Sequence, residues 1–391
     1  ARYLLEHPRL PFISYPYEWC FRALKAAALL HLDVHLAALK RGVTLSDASA
    51  YNVQFVGAKP LFIDTLSFRR YQEGEYWAGH RQFCEQFLVP LLLRALFGTP
   101  HNPWYRGALE GISVSEFTRL LSLRQKLSWN VLSHLVLPSR FETSARRGNI
   151  ELDQSTLKKA KLPRPAFEGM LSRLRGWIER LEPKDKTPTA WQNYSLENTY
   201  SPEEAAAKRD FVSTFIAGQK PAMVWDFGCN AGDYTEAALS AGAKYVVGWD
   251  FDQGALDAAF VRAGSRNLAF TPLFFDAANP APDQGWAQEE RKGMTGRGPA
   301  DAVLALAFTH HLAIARNLPL PRIARWLTEQ GRSGVVEFTP KDDETVQTML
   351  RLRADIFEDY SLERFIECLG AHARIERRET INGRELIWYR T

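Results

Sequence analysis

The C-terminal half of this chain, residues 200–391, predicts an α/β domain on a mainly parallel, Rossmann-like sheet, and three observations carry that expectation. Helical and strand-like segments alternate from about residue 200 to the end. The apolar run AMVWDFG (222–228) holds a carboxylate near its end and opens through a glycine-rich turn into a helix. A second short apolar run, Tyr245 to Trp249, is followed at once by another carboxylate, Asp250. The N-terminal half predicts a mainly helical region instead.

Bulk composition fits a globular chain with sizeable cores: 391 residues, 46% hydrophobic and 24% charged. The longest aliphatic patch, Leu88 to Leu93, is broken by Pro90 and far too short to span a membrane. The four cysteines (Cys20, Cys84, Cys229, Cys368) form no CxxC pair, which argues against a zinc ribbon or disulfide framework and fits a reducing cytoplasm. The first residue is Ala rather than Met, which we read as a trimmed start. A net charge of +4 permits an anionic partner without demanding one. Arg140, Arg146, Arg147, Lys158, Lys159, Lys161 and Arg164 cluster as either a solvated face or a nucleic-acid contact.

In chain order, residues 1–75 hold a helical pattern, Tyr17 to Lys40, and then two short strands about a turn. Residues 76–182 read as almost wholly helical: FCEQFLVPLLLRALF (83–97) and FTRLLSLRQKLSWNVLSHLVL (117–137) repeat apolar residues at three- and four-residue spacing. The aromatic stretch from Tyr76 and Trp77 to Phe87 reads as core, with a membrane-surface face as the alternative. The polar, proline-containing stretch EPKDKTPTA (182–190) marks a linker, placed at 183–199. That leaves 1–182 as an N-terminal region and 200–391 as the α/β domain.

Inside that domain, Ser201-Pro202-Glu203-Glu204 reads as an N-cap, a first-turn proline and a capping box for a helix to about Ala217. Asp226, Gly228, Asn230 and Gly232 belong to the turn that follows the first strand. Glycine is needed where the backbone turns tightly against a ligand. Gly228 and Asp250 are about 20 residues apart, the distance from a first strand to the tip of a second, where a ribose would present its hydroxyls. The D-x-G-x-N-x-G pattern differs from the pyrophosphate-binding G-x-G-x-x-G. Asp226 can meet the ammonium and sulfonium end of S-adenosylmethionine (SAM), which has no phosphate. Phe251 follows Asp250, and Asp276-Ala277 follow the third strand, placed for an adenine edge.

VWDFGCNAGDYT resembles the first motif of class I SAM-dependent methyltransferases. With GWAQEER (285–291), HHLAIARNLPL (310–320), VVEFTPKDD (335–343) and RADIFEDYSLERF (353–365), the whole chain resembles the NoeA-type family of rhizobial nodulation proteins. The resemblance implies a class I methyltransferase domain, SAM as cofactor, and a small-molecule or glycan-type acceptor. RNA or protein methylation, or a non-catalytic SAM-binding scaffold, stand as alternatives. Catalytic groups are expected at the tips of strands four and five: His310, His311 and Glu337. A histidine there would act as a base with a pH dependence near 6–7 or merely order the loop; Glu337 would act on substrate or pair within the sheet.

A second pattern lies in residues 42–68. Asp47 and Asn52 have D-x-x-x-x-N spacing, and Asp64 follows the strand Pro60 to Ile63, as in kinase-like phosphotransferases. Leu45-Ser46 replace the usual His-Arg, no glycine follows Asp64, and no glycine loop lies upstream. An active kinase, a kinase-lobe relic used as scaffold, and coincidence all remain open at this point.

Overall fold

A computed structural model describes residues 6–139, 161–184, 201–351 and 353–391. Most of the expected linker, 183–199, lies outside the described residues. So do Arg140, Arg146, Arg147, Lys158 and Lys159 of the basic cluster, whereas Lys161 and Arg164 are within them. The chain divides into two compact units: Ser14–Phe55 with Pro60–Thr187, and Ala1–Ile13, Val56–Lys59 and Pro188–Thr391.

In the first unit, helix α1 (Phe21–Leu39) buries Leu24, Ala27, Ala28, His31 and Leu32. Four strands follow: β1 (Val43–Leu45), β2 (Val53–Val56), β3 (Lys59–Phe62) and β4 (Phe68–Arg70), paired β1 with β4 and β2 with β3. Helix α2 (Val89–Phe97) ends at left-handed Gly98. Helix α3 (Arg164–Glu179) packs against α1 through Phe167, Leu171, Leu174 and Ile178, the spacing of one helical face. Trp77, Phe83 and Phe87 are buried in this core, while Tyr76 is exposed. Asn52 Nδ2 donates to Asp47 Oδ1 at 2.9 Å, and the Asp64 carboxylate accepts the Leu66 amide. Desolvation and the charge of Asp64 raise the pKa of Asp47, so Asp64 shares a neighbourhood with the two residues of the D-x-x-x-x-N pattern.

The second unit begins with α4 (Pro202–Gln219). Ser201 Oγ accepts the Glu204 amide at 3.2 Å, and Glu204 Oε2 accepts the Ser201 amide at 2.7 Å, closing the capping box. Then come β5 (Met223–Phe227), α5 (Asp233–Ser240), β6 (Tyr245–Asp250), α6 (Gln253–Ser265) and β7 (Phe270–Phe274). The chain continues through β8 (Ala302–Ala305), α7 (Leu320–Glu329), β9 (Ser333–Phe338), α8 (Leu362–Gly370), β10 (Arg374–Ile381) and β11 (Arg384–Arg390). They build a seven-stranded Rossmann-like sheet ordered β10-β11-β9-β8-β5-β6-β7. β7, β6, β5, β8 and β9 are parallel, with β5, β6, β8 and β9 apolar and buried as parallel strands require. β7 is an edge strand, which is why it tolerates Pro272.

The last two strands depart from simple alternation. β11 inserts between β9 and β10, antiparallel to both. β10, at the other edge, carries Arg374, Glu376, Arg377 and Glu379 largely in ion pairs, charges that discourage edge-to-edge association. Among the described residues, no helix is long and apolar enough to cross a membrane.

Candidate functional site

Strand order reverses between β5 and β8, because β5 leads outward to β6 and β7 and β8 leads the other way to β9. In open α/β sheets a ligand crevice forms at such a switch point, beyond the carboxyl ends of the strands. Here it is a cleft of about 410 Å³, lined by the ends of β5, β6, β7 and β8 and by α4. Past β5 the backbone turns at Gly228 (φ 76°), whose amide donates to the Trp249 carbonyl at 2.8 Å and ties the loop to β6. A Cβ at Gly228 would meet only ordinary contacts, so the demand for glycine there is conformational. Gly232 (φ 89°) has a second reason: a Cβ would stand 2.7 Å from Cε1 of Phe270. Asn230 is also left-handed (φ 48°), and its Oδ1 accepts the Ala231 amide at 2.7 Å.

The electrostatics follow from burial. Asp226 is buried near the end of β5, and desolvation raises its pKa to about 7, with Thr235 donating to its Oδ2 at 2.5 Å. Asp250 accepts the Asn230 amide on Oδ2 and the Asp252 amide on Oδ1, both at 2.8 Å, yet burial still lifts it to about 6. Thus Asp250 shapes the glycine loop as well as facing the cleft. Phe251 is 58% exposed at the cleft wall, tilted against Phe274. Asp276 and Ala277 line the same wall, with Arg316 3.4 Å from Asp276 and 5.7 Å from the centroid of Phe251.

Of the three strand-tip residues only one reaches the cleft. His311 lines the cleft, and desolvation with the charge of Arg384 lowers its pKa to about 4. His310 is 1% exposed behind it, ring against ring at 4.2 Å, and is not part of the cleft lining. Glu337 is fully buried in β9 and also outside the lining: Oε2 takes Lys208 Nζ at 2.6 Å and the Ala307 amide at 2.7 Å, and Arg384 stands 3.6 Å from Oε1.

Asp226, Gly228, Asn230, Asp250, Phe251, Asp276, Ala277 and His311 therefore come together around one cleft, and Gly232 supports its loop from the start of α5. Sequence reasoning missed Lys208, Tyr234, Phe275, Phe308 and Arg316, which also line it. A signal for Lys208 was present: it shares one helical face with Phe211, Val212 and Phe215, an odd place for a lysine unless it is paired. Phe308 carried none, since its ring meets Phe227 and Trp326 only once the sheet is formed.

No family model matches the chain. Among solved structures it is similar to N-methyltransferase NodS from Bradyrhizobium japonicum WM9 (12% identity, 49% of this chain and 98% of that one, TM-score 0.35). It is also similar to magnesium protoporphyrin IX methyltransferase from Synechocystis PCC 6803 (16% identity, 51% and 90%, TM-score 0.34). Nodulation protein NoeA from Rhizobium meliloti (strain 1021) is 47% identical over 386 residues, 99% of this chain and 81% of that relative. With that identity along nearly its whole length, the chain belongs to the NoeA family of nodulation proteins.

Proposed function

We propose that the C-terminal unit is a SAM-dependent methyltransferase acting on a small-molecule or glycan-type acceptor. The observation that carries this reading is the cleft at the switch point, with a left-handed glycine loop on one side and a carboxylate at the tip of each of the first two strands. The residues fit the donor. Gly228 keeps the loop free of a side chain, Asp250 suits a ribose diol, and Phe251, Phe275 and Ala277 offer an apolar wall for adenine. Asp226 suits the cationic methionine end. When bound, SAM supplies an electrophilic methyl group. The chain's task is then to exclude water and hold the acceptor near the tip of β8, which suffices for much of the rate. His311, kept neutral by desolvation, lines the cleft and can accept the acceptor's proton. The acceptor class rests on kinship with a nodulation protein.

Isothermal titration should find one site per chain for SAM and for S-adenosylhomocysteine. Gly228→Val, which forces a β-branched residue into left-handed backbone, and Asp250→Ala should both weaken binding, the latter by about 1–3 kcal/mol. Unchanged affinity in two well-folded variants would remove the assignment. Labelled SAM with fractionated cell extract then identifies the acceptor. For the N-terminal unit we infer a kinase-lobe-like scaffold without phosphotransfer activity, since Leu45-Ser46 stand where His-Arg would precede the catalytic aspartate and Thr65, with no glycine close behind, follows Asp64.

A further inference from the structure

Four charged side chains form a chain of ion pairs in the C-terminal unit. Lys208 Nζ lies 2.6 Å from Glu337 Oε2, Arg384 Nη1 lies 3.6 Å from Glu337 Oε1, and Arg384 Nε lies 2.8 Å from Asp343 Oδ2. Lys208, Glu337 and Arg384 are each at most 2% exposed, and the formal charges of the four cancel. Apolar residues of similar volume would hold the core at least as well, so stability alone does not account for burying them. Of the four, only Lys208 lines the cleft, beside Asp226 and with its ammonium 4.8 Å from the centroid of Tyr234.

We propose that Glu337 masks the Lys208 ammonium, so that the pair sets the charge the cleft presents and tunes its preference between a cationic donor and its neutral product. This rests on the reading of the cleft as a SAM site. SAM and S-adenosylhomocysteine share every part except the methyl group and the sulfonium charge. The ratio of their affinities therefore reports the potential near the sulfur. An unmasked ammonium in a desolvated site opposes the sulfonium and leaves the thioether untouched. Removing the ammonium instead leaves the Glu337 carboxylate in excess, which favours the sulfonium. A role confined to supporting the cleft would act on the parts common to both ligands and leave the ratio where it was.

The test is isothermal titration of the full chain with SAM and with S-adenosylhomocysteine, in wild type, Glu337→Gln, Lys208→Met and the double variant. Glu337→Gln should weaken SAM relative to S-adenosylhomocysteine by about tenfold or more. Lys208→Met should move the ratio the other way, and the double variant, with neither charge, should return it to within about threefold of wild type. Equal losses for both ligands in both single variants would overturn the proposal and leave the pair a structural support. Should Glu337→Gln fail to fold, Lys208→Met decides alone, because Glu337 then keeps Arg384. Wild-type protein that binds neither ligand would instead overturn the donor assignment, and the proposal with it.

Discussion

Asp226, one residue before the end of β5, holds its carboxylate out of water, and that burial, more than any neighbour, raises its pKa to about 7. The folded chain therefore holds a proton that the unfolded chain releases near pH 4. Such a shift makes the native state lose stability as pH climbs from about 4 to about 7, and no further above that. Asp226→Asn should remove this loss: thermal unfolding at pH 8 should show the variant more stable by about 1–3 kcal/mol, with the gap closing toward pH 4. It should also bind SAM more weakly, since an amide offers no charge to the ligand's cationic end. A stability gap independent of pH would mean that the carboxylate titrates normally. His311 shows the same cause with the opposite sign, being neutral above about pH 4. His311→Ala should spare SAM affinity while lowering turnover of the acceptor by about 100-fold if the imidazole takes the proton. The acid limb of the rate should then fall near pH 4 rather than at 6–7. His310→Ala should act through stability, because that ring lines no part of the cleft.

At the scale of elements, the start of α4 and the start of α5 separate two kinds of constraint. The capping box at Ser201 is local, and its chemistry is written in four consecutive residues. Gly232 answers to both its own backbone and the ring of Phe270, 2.7 Å from where a Cβ would sit. Ser201→Ala should therefore cost about 1 kcal/mol, and Gly232→Ala about 2–4 kcal/mol along with SAM binding. Denaturant midpoints measure both, and an equal cost would show that the Phe270 ring moves aside freely. Parallel strands and their helices were legible as alternating apolar segments. The insertion of β11 between β9 and β10 was not, because a strand's own pattern does not name its neighbours.

At the scale of the whole molecule, two units divide the chain, yet residues up to Ile13 and the turn 56–59 group with the sheet-bearing one. Within that unit Phe12 meets Trp225 and Trp249 edge-on, at 6.2 and 5.7 Å. The Gly57 amide donates to the Tyr245 hydroxyl at 2.8 Å, and Thr271 Oγ1 donates to the Gly57 carbonyl at 3.0 Å. If the N-terminal unit is a scaffold without phosphotransfer activity, magnesium ATP should leave the melting temperature unchanged in wild type and in Asp64→Ala. An ATP-dependent rise lost in Asp64→Ala would overturn that reading, because a ligand of the native state must add stability.

Sequence alone determined what a few consecutive residues can dictate. The cap at Ser201, the left-handed turn at Gly228 and the carboxylates closing β5 and β6 are fixed by backbone preference and alternation within a strand–turn–helix unit. These place part of the cleft wall, Asp226, Gly228 and Asp250 among its lining. Only the tertiary structure decided the fate of Glu337, whose partner Lys208 is 129 residues away in the chain, and the division of His310 from His311. A buried charge is tolerable only beside its counterion, and which counterion arrives depends on how the sheet and helices close around it.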